Sequence, residues 1–279
     1  MAKQKGPDLS PHIDLHMHTH YGESCSLTKP EALVHHTVEQ GRTAVGVADL
    51  NSVQAFPELE KAGQTYGIKI LYGLETTMQN DVDAETGNPP LPAVTVLAKN
   101  KTGLNNLYRI VTRIKCADAE ETFIKKSELT RYHEGLFFAS TGNRGEVFQA
   151  VNANLPAEHV QRLAAFYDYF ELMPVSEALP IKREQTEEIY RAVVLLAKTQ
   201  EKPFIATSDA RYLNREDRNA FQIAFEGKEE ASVPFNRLYD QTTDSLLQEF
   251  YFLGIDDIKA AVINYPQMLA DACESICVV

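Results

Sequence analysis

A chain of 279 residues that is 44% apolar can bury a substantial core, and that length suits one barrel as well as two smaller domains. Asp and Glu number 39 against 27 Lys and Arg, a formal charge of −12. Such a surface repels polyanions, so only weak intrinsic binding of duplex DNA is expected. Cys25, Cys116, Cys273 and Cys277 form no CxxC pair, Met1–Ser10 lacks the apolar run of a signal sequence, and no stretch approaches a membrane span. A reducing cytoplasm and no membrane partner are therefore expected.

The first ordered element is His12-Ile13-Asp14-Leu15-His16-Met17-His18, whose strict alternation has the period of a strand. It predicts Ile13, Leu15 and Met17 on one face, with His12, Asp14, His16 and His18 on the other. A helix over about 29–40 follows, with Thr28 and Glu31 spaced as a capping box and Gly41 as its stop. The apolar run Ala44–Ala48 leads to Asp49, a helical pattern spans about 52–66, and Ile68–Tyr72 reads as a strand ending at Gly73-Leu74-Glu75.

The rhythm continues through strands at 93–98, 136–140, 169–173 and 203–207, with helices between most of them, the last strand leading into Ser208-Asp209. Residues 243–277 read as mostly helical, broken around Gly254 and Pro266, and Asn80–Pro92, rich in turn formers, reads as an exposed excursion. Repeated βα units with nearly continuous apolar strands predict a parallel sheet covered by helices. Polar residues recurring just after strands favour a barrel with a site at its C-terminal face, and an open doubly wound sheet is the alternative. No dinucleotide, phosphate-loop or GxSxG signature is present.

His16 and His18 are the strongest local chemical signal, because residues two apart on a strand face the same side and can share a metal. A hydrogen-bonded polar pair at a barrel mouth is the competing reading. Glu75 and Asp209, each expected just after a strand, can reach the same mouth and complete a hard-cation site. Asp14 lies deeper on the histidine face, placed to orient the imidazoles. Asp49 ends the second strand, and Cys25 is a candidate soft ligand, although a lone cysteine is more often packed and inert. No Ser–His–Asp or Cys–His arrangement emerges, so no catalytic residue is assigned.

His16-Met17-His18-Thr19, Val47-Ala48-Asp49-Leu50, Tyr72-Gly73-Leu74-Glu75 and Ala206-Thr207-Ser208-Asp209 stand in the order of the motifs of the polymerase-and-histidinol-phosphatase (PHP) family. The chain most resembles the PHP domain of the PolC-type bacterial DNA polymerase III alpha subunit. That likeness extends over Gln54–Glu58, Val94–Asn100, Thr102–Leu107, Phe166–Tyr169, Tyr212–Asn214 and Phe252–Gly254. It implies one PHP-like domain over 1–279, folded as a distorted seven-stranded (β/α) barrel. In active relatives such a site holds up to three metal ions and hydrolyses phosphate esters.

The departures weigh against a full site. Leu50 stands where the family has a histidine, Ala93 at a lost histidine position, and Thr141-Gly142-Asn143 where relatives place Cys or His with Asp. Ala210-Arg211 follows Asp209 where a histidine would complete the last motif, and Cys25 replaces an acidic ligand. His16, His18, Glu75 and Asp209, with Cys25 as a soft ligand, leave enough donors for one zinc, manganese or iron ion rather than three, and Arg211 can pair with a carboxylate in a metal's stead. The resemblance thus implies a replication-associated scaffold with reduced or lost catalysis, partnered by replication proteins. The alternative is a phosphoesterase acting on a phosphate-containing small molecule through metal-activated water. The chain contains no polymerase catalytic domain.

Overall fold

The computed structural model describes residues 10–80, 91–117, 123–175, 181–225 and 238–278. Most of Met1–Ser10 and of the Asn80–Pro92 excursion lies outside them. Among the described residues seven strands form one curled mixed sheet: β1 (Ala44–Leu50), β2 (Lys69–Gln79), β3 (Ala93–Ala98), β4 (Phe123–Lys125), β5 (Leu136–Ser140), β6 (Tyr169–Leu172) and β7 (Phe204–Ala206). The order is β1-β2-β3-β5-β6-β7, with β4 continuing the pairing along the far end of β2.

The expected all-parallel sheet is corrected at β3, which runs antiparallel to both β2 and β5. The cause is legible in the connection. Parallel strands need a long crossover, usually a helix, whereas the sequence between β2 and β3 carries turn formers and no helical stripe. Reversal of β3 brings its beginning, not its end, to the mouth, where Thr95 pairs with Glu75.

The first expected strand is also corrected. Residues 12–18 run beside β1 without regular pairing, and Met17 alone bridges Val47 on one side and Ala210 on the other. The sheet is therefore incompletely closed. Met17 N donates to Gly46 O at 3.1 Å, and His18 N donates to Ala210 O at 2.9 Å. The approach is close: a Cβ on Gly46 would sit 2.5 Å from Leu15 O, so only glycine fits. The chain bends at Leu15, and Asp14 Oδ1 accepts from His16 N at 2.9 Å. Alternation fails at that bend. Ile13 and Leu15 join the apolar cluster on the concave face, while Met17 packs with the outer one.

Strand alternation divides the remaining side chains cleanly. Ile70, Tyr72, Leu74, Val94, Val96, Phe170 and Phe204 face outward to Leu33, Leu59, Leu104, Leu107 and Val193 of the covering helices. Leu71, Leu97, Tyr169 and Ile205 face inward and meet Leu269, Ala270 and Cys273 at the C-terminal helix Tyr265–Ala272. That helix closes the base. Two boundaries shift because proline sets a helix's first turn. The first helix is Pro30–Glu39, capped at Lys29 without a side-chain bond from Thr28, and the second is Phe56–Tyr66, starting beside Pro57. The C-terminal region breaks at Gly254 and passes through a π turn, Ala260–Asn264, before Pro266 enters the first turn of the last helix. No helix among the described residues is long and apolar enough to cross a membrane.

Candidate metal centre

The same inward faces that are apolar at the base become polar at the mouth. Following Leu71 along β2 by alternation leads to Glu75; Leu97 leads to Thr95, and Tyr169 to Glu171. Glu75 lies within β2 rather than after it, and Asp49 within β1, since both strands extend further than the apolar runs suggested. Asp209 lies three residues beyond β7 with φ +51°, a left-handed backbone that turns its carboxylate back over the opening.

His16, His18, Glu75 and Asp209 each offer one ligand-type atom, and all four atoms lie within 4.8 Å of one another. His16 Nε2 is 3.1 Å from Glu75 Oε2, and His18 Nε2 is 2.7 Å from Asp209 Oδ1. On its other side, His16 Nδ1 lies 2.9 Å from Glu171 Oε2 and 3.2 Å from Thr95 Oγ1. A carboxylate behind an imidazole fixes its orientation, the usual support for a metal-binding histidine. Thr95 Oγ1 is in turn bonded to Thr141 Oγ1 at 2.8 Å.

Arg144 enters this cluster from the turn after β5. Its Nη1 pairs with Glu75 Oε1, and its Nη2 lies 3.1 Å from both Glu75 Oε2 and Asp209 Oδ1. Arg211 Nη2 stands 3.7 Å from Asp209 Oδ1, a carboxylate pairing of the kind the sequence suggested. Burial would raise the Glu75 carboxyl, but Arg144 and His16 override it and hold it down at about 2. Burial likewise opposes ionisation of Asp209, and Arg144 and Arg211 together hold it well below the usual carboxylate range. His18 is pushed down to about 4, chiefly by burial.

The other sequence candidates lie apart from the four. Asp14 accepts from the backbone N–H of His16 and of Ser208, each at 2.9 Å, and so ties the histidine segment to the turn after β7. Asp49 accepts from Thr19 N and Thr19 Oγ1, both at 2.5 Å, and burial pushes its carboxyl up to about 7. Cys25 is buried with Tyr212 and Phe221 in a satellite apolar cluster. Sequence reasoning missed Arg144, Glu171 and Thr95. A glutamate inside the apolar strand Tyr169–Leu172 was a usable signal for Glu171, because a charge on a doubly covered strand needs a buried partner. Arg144, flanked by Asn143 and Gly145 just past a strand end, was another.

The fold and the cluster together define a PHP domain. The family's model matches residues 14–173, and the chain belongs to that family. Its relatives place it more narrowly. It is 32% identical over 196 residues to the DNA polymerase III PolC-type of Clostridium perfringens, covering 67% of this chain and 14% of that one. It is 33% identical over 228 residues to the corresponding protein of Caldanaerobacter subterraneus, covering 78% and 16% respectively. The chain thus spans about one seventh of the length of these relatives. A solved Bifidobacterium adolescentis protein, a presumed metal-dependent phosphoesterase, shares the fold with a TM-score of 0.50 at 13% identity, over 74% of this chain and 88% of that one.

Proposed function

We propose that this chain is a PolC-like PHP scaffold associated with bacterial DNA replication, cytoplasmic, with a degenerate metal site and intrinsic catalysis lost or reduced. The observation that carries this reading is the size of the donor set. Among the described residues the one group placed to share an ion offers four ligand-type atoms, two imidazole nitrogens and two carboxylate oxygens. Leu50 is paired beside Glu75, and Ala93 lies in the strand that carries Thr95, yet neither has a donor atom.

Chemically the four donors fit a single zinc, manganese or iron ion. His16, His18, Glu75 and Asp209 would hold it, and it would supply Lewis-acid activation of a phosphate ester. Glu171 would keep His16 Nε2 aimed inward, and Asp14 would hold the backbone of the histidine segment. The second reading, a residual phosphoesterase, is favoured by that Glu171–His16 pairing alone. In the scaffold reading, replication proteins are the partners and isolated binding to duplex DNA is weak, as the −12 charge suggests.

Elemental analysis of protein purified without chelator is the test, paired with phosphatase assays after zinc, manganese or iron reconstitution. At most one ion and poor turnover of generic phosphate esters are expected. Stoichiometric binding of two or three ions, with turnover abolished by His16→Ala, would sink the scaffold reading and establish the phosphoesterase.

A further inference from the structure

Two buried carboxylates a few ångströms apart repel each other, and each loses its hydration. The side chains of Glu75 and Asp209 are only 1% and 11% exposed. A divalent ion is one way to hold such a pair. In this chain a guanidinium already does so: Arg144 presents one nitrogen to Glu75 Oε1 and shares the other between Glu75 Oε2 and Asp209 Oδ1. A planar fork of donors suits two carboxylates as a single ammonium does not.

The turn that delivers Arg144 is built for the purpose. Gly142 adopts φ +43°, and a Cβ there would sit 2.5 Å from Met173 Cγ, so a bare backbone is needed against the strand end. Arg144 N donates to Thr141 O at 3.0 Å, closing the turn, and Gln149 Nε2 donates to Arg144 O at 3.0 Å. The backbone is thus fixed from both sides while the side chain reaches inward. Yet 36% of that side chain remains exposed, so the arginine is not sealed into the core.

We propose that Arg144 is the resident cation of this cluster, standing in place of a divalent ion, so that metal affinity is latent and emerges when the guanidinium is removed. This rests on reading the site as degenerate and extends it, because it names what fills the role the lost ions would play. Guanidinium and ion compete for the same two carboxylates.

The experiment uses the full chain as wild type, Arg144→Met, Arg144→Lys and the double variant Arg144→Met/His16→Ala. Mn²⁺ binding is followed by calorimetry, and thermal unfolding is measured in EDTA and in excess Mn²⁺. Arg144→Met should melt below wild type in EDTA, regain stability with Mn²⁺, and bind it at least about tenfold more tightly, a factor equal to 1.4 kcal/mol of competition. The double variant should lose that gain. Arg144→Lys, which keeps a charge but not the fork, should show a smaller gain and carries the test if the methionine variant does not fold. Equal Mn²⁺ affinity in wild type and both single variants would overturn the proposal while leaving the degenerate-site reading intact. Phosphate-ester turnover by Mn²⁺-loaded wild type would instead sink that underlying reading, whatever the affinities of the variants.

Discussion

The base and the mouth of the barrel are made by the same strands, two to four residues apart, and obey opposite energetics. At the base, Leu71, Leu97, Tyr169 and Ile205 meet Leu269, Ala270 and Cys273 in contact that gains from every buried methylene. At the mouth, Glu75, Thr95, Glu171 and Asp209 surround His16 and His18, and their burial costs free energy unless each polar atom finds a partner. Glu171 Oε1, Thr207 Oγ1 and Ser208 Oγ are buried without a hydrogen-bond partner among the described residues. Such groups are tolerated where the rest of the fold over-determines the arrangement. The base supplies stability, and the mouth draws on it.

The sharpest way to break this comparison is to damage the base. Leu97 is fully buried on the inward face. Leu97→Ala should cost about 2–5 kcal/mol in urea unfolding, through lost transfer free energy and the cavity left behind. The loss should occur equally with and without Mn²⁺, because the mouth is not its cause. A loss under about 0.5 kcal/mol, the range of surface substitutions, would mean that the inward apolar cluster is not the stabilising core.

A pH experiment sharpens the same contrast. Burial pushes the Cys273 thiol up to about 11 from 9.0. Unfolded chain then releases its proton first as pH rises, so folding stability contributed by this group is intact below pH 9 and declines between pH 9 and 11. Two pH units correspond to about 2–3 kcal/mol. Other groups titrate in that window, so the comparison to make is wild type against Cys273→Ala. The variant should show a shallower fall of urea midpoint over pH 9–11, and parallel curves would show that the base is open to water.

How much of this was legible beforehand divides along the same line. Alternation settles which residues of a strand share a face, and a helix expected between the strands at 169–173 and 203–207 is present as Arg183–Thr199. Those features depend on local pattern, which the chain states directly. The histidine segment did not behave as its perfect alternation predicts, because Gly46 and Asp14 impose a bend that only the tertiary approach makes visible. Similarly, the sequence suggested Arg211 as a cation pairing with a carboxylate in a metal's stead, whereas Arg144 makes the closer contacts to both Glu75 and Asp209. Residues 65 to 69 positions apart meet only through the curl of the sheet. Periodicity says which way a side chain points, but not which distant one points back.

The smallest expected effect isolates one hydroxyl at the mouth. Thr95 Oγ1 lies between His16 Nδ1, at 3.2 Å, and Thr141 Oγ1, at 2.8 Å, on a residue with no exposure. Thr95→Val keeps the shape and β-branching while deleting that oxygen, so backbone propensity and packing volume are nearly unchanged. What remains is the loss of two hydrogen bonds and a buried Thr141 hydroxyl with no partner. Such a group costs about 1–3 kcal/mol, and with the methyl offering some apolar gain the net destabilisation should be about 1 kcal/mol. His16 would keep Glu171 as its partner on Nδ1, so its ring should stay in place. Urea unfolding of Thr95→Val, Thr141→Val and the double variant makes a cycle. If the mouth draws on the base as argued, removing both hydroxyls should cost less than the sum of the single losses, because no unpaired oxygen is left behind. Strict additivity would mean that the two hydroxyls do not pair, and that the polar network at the mouth is looser than its distances imply.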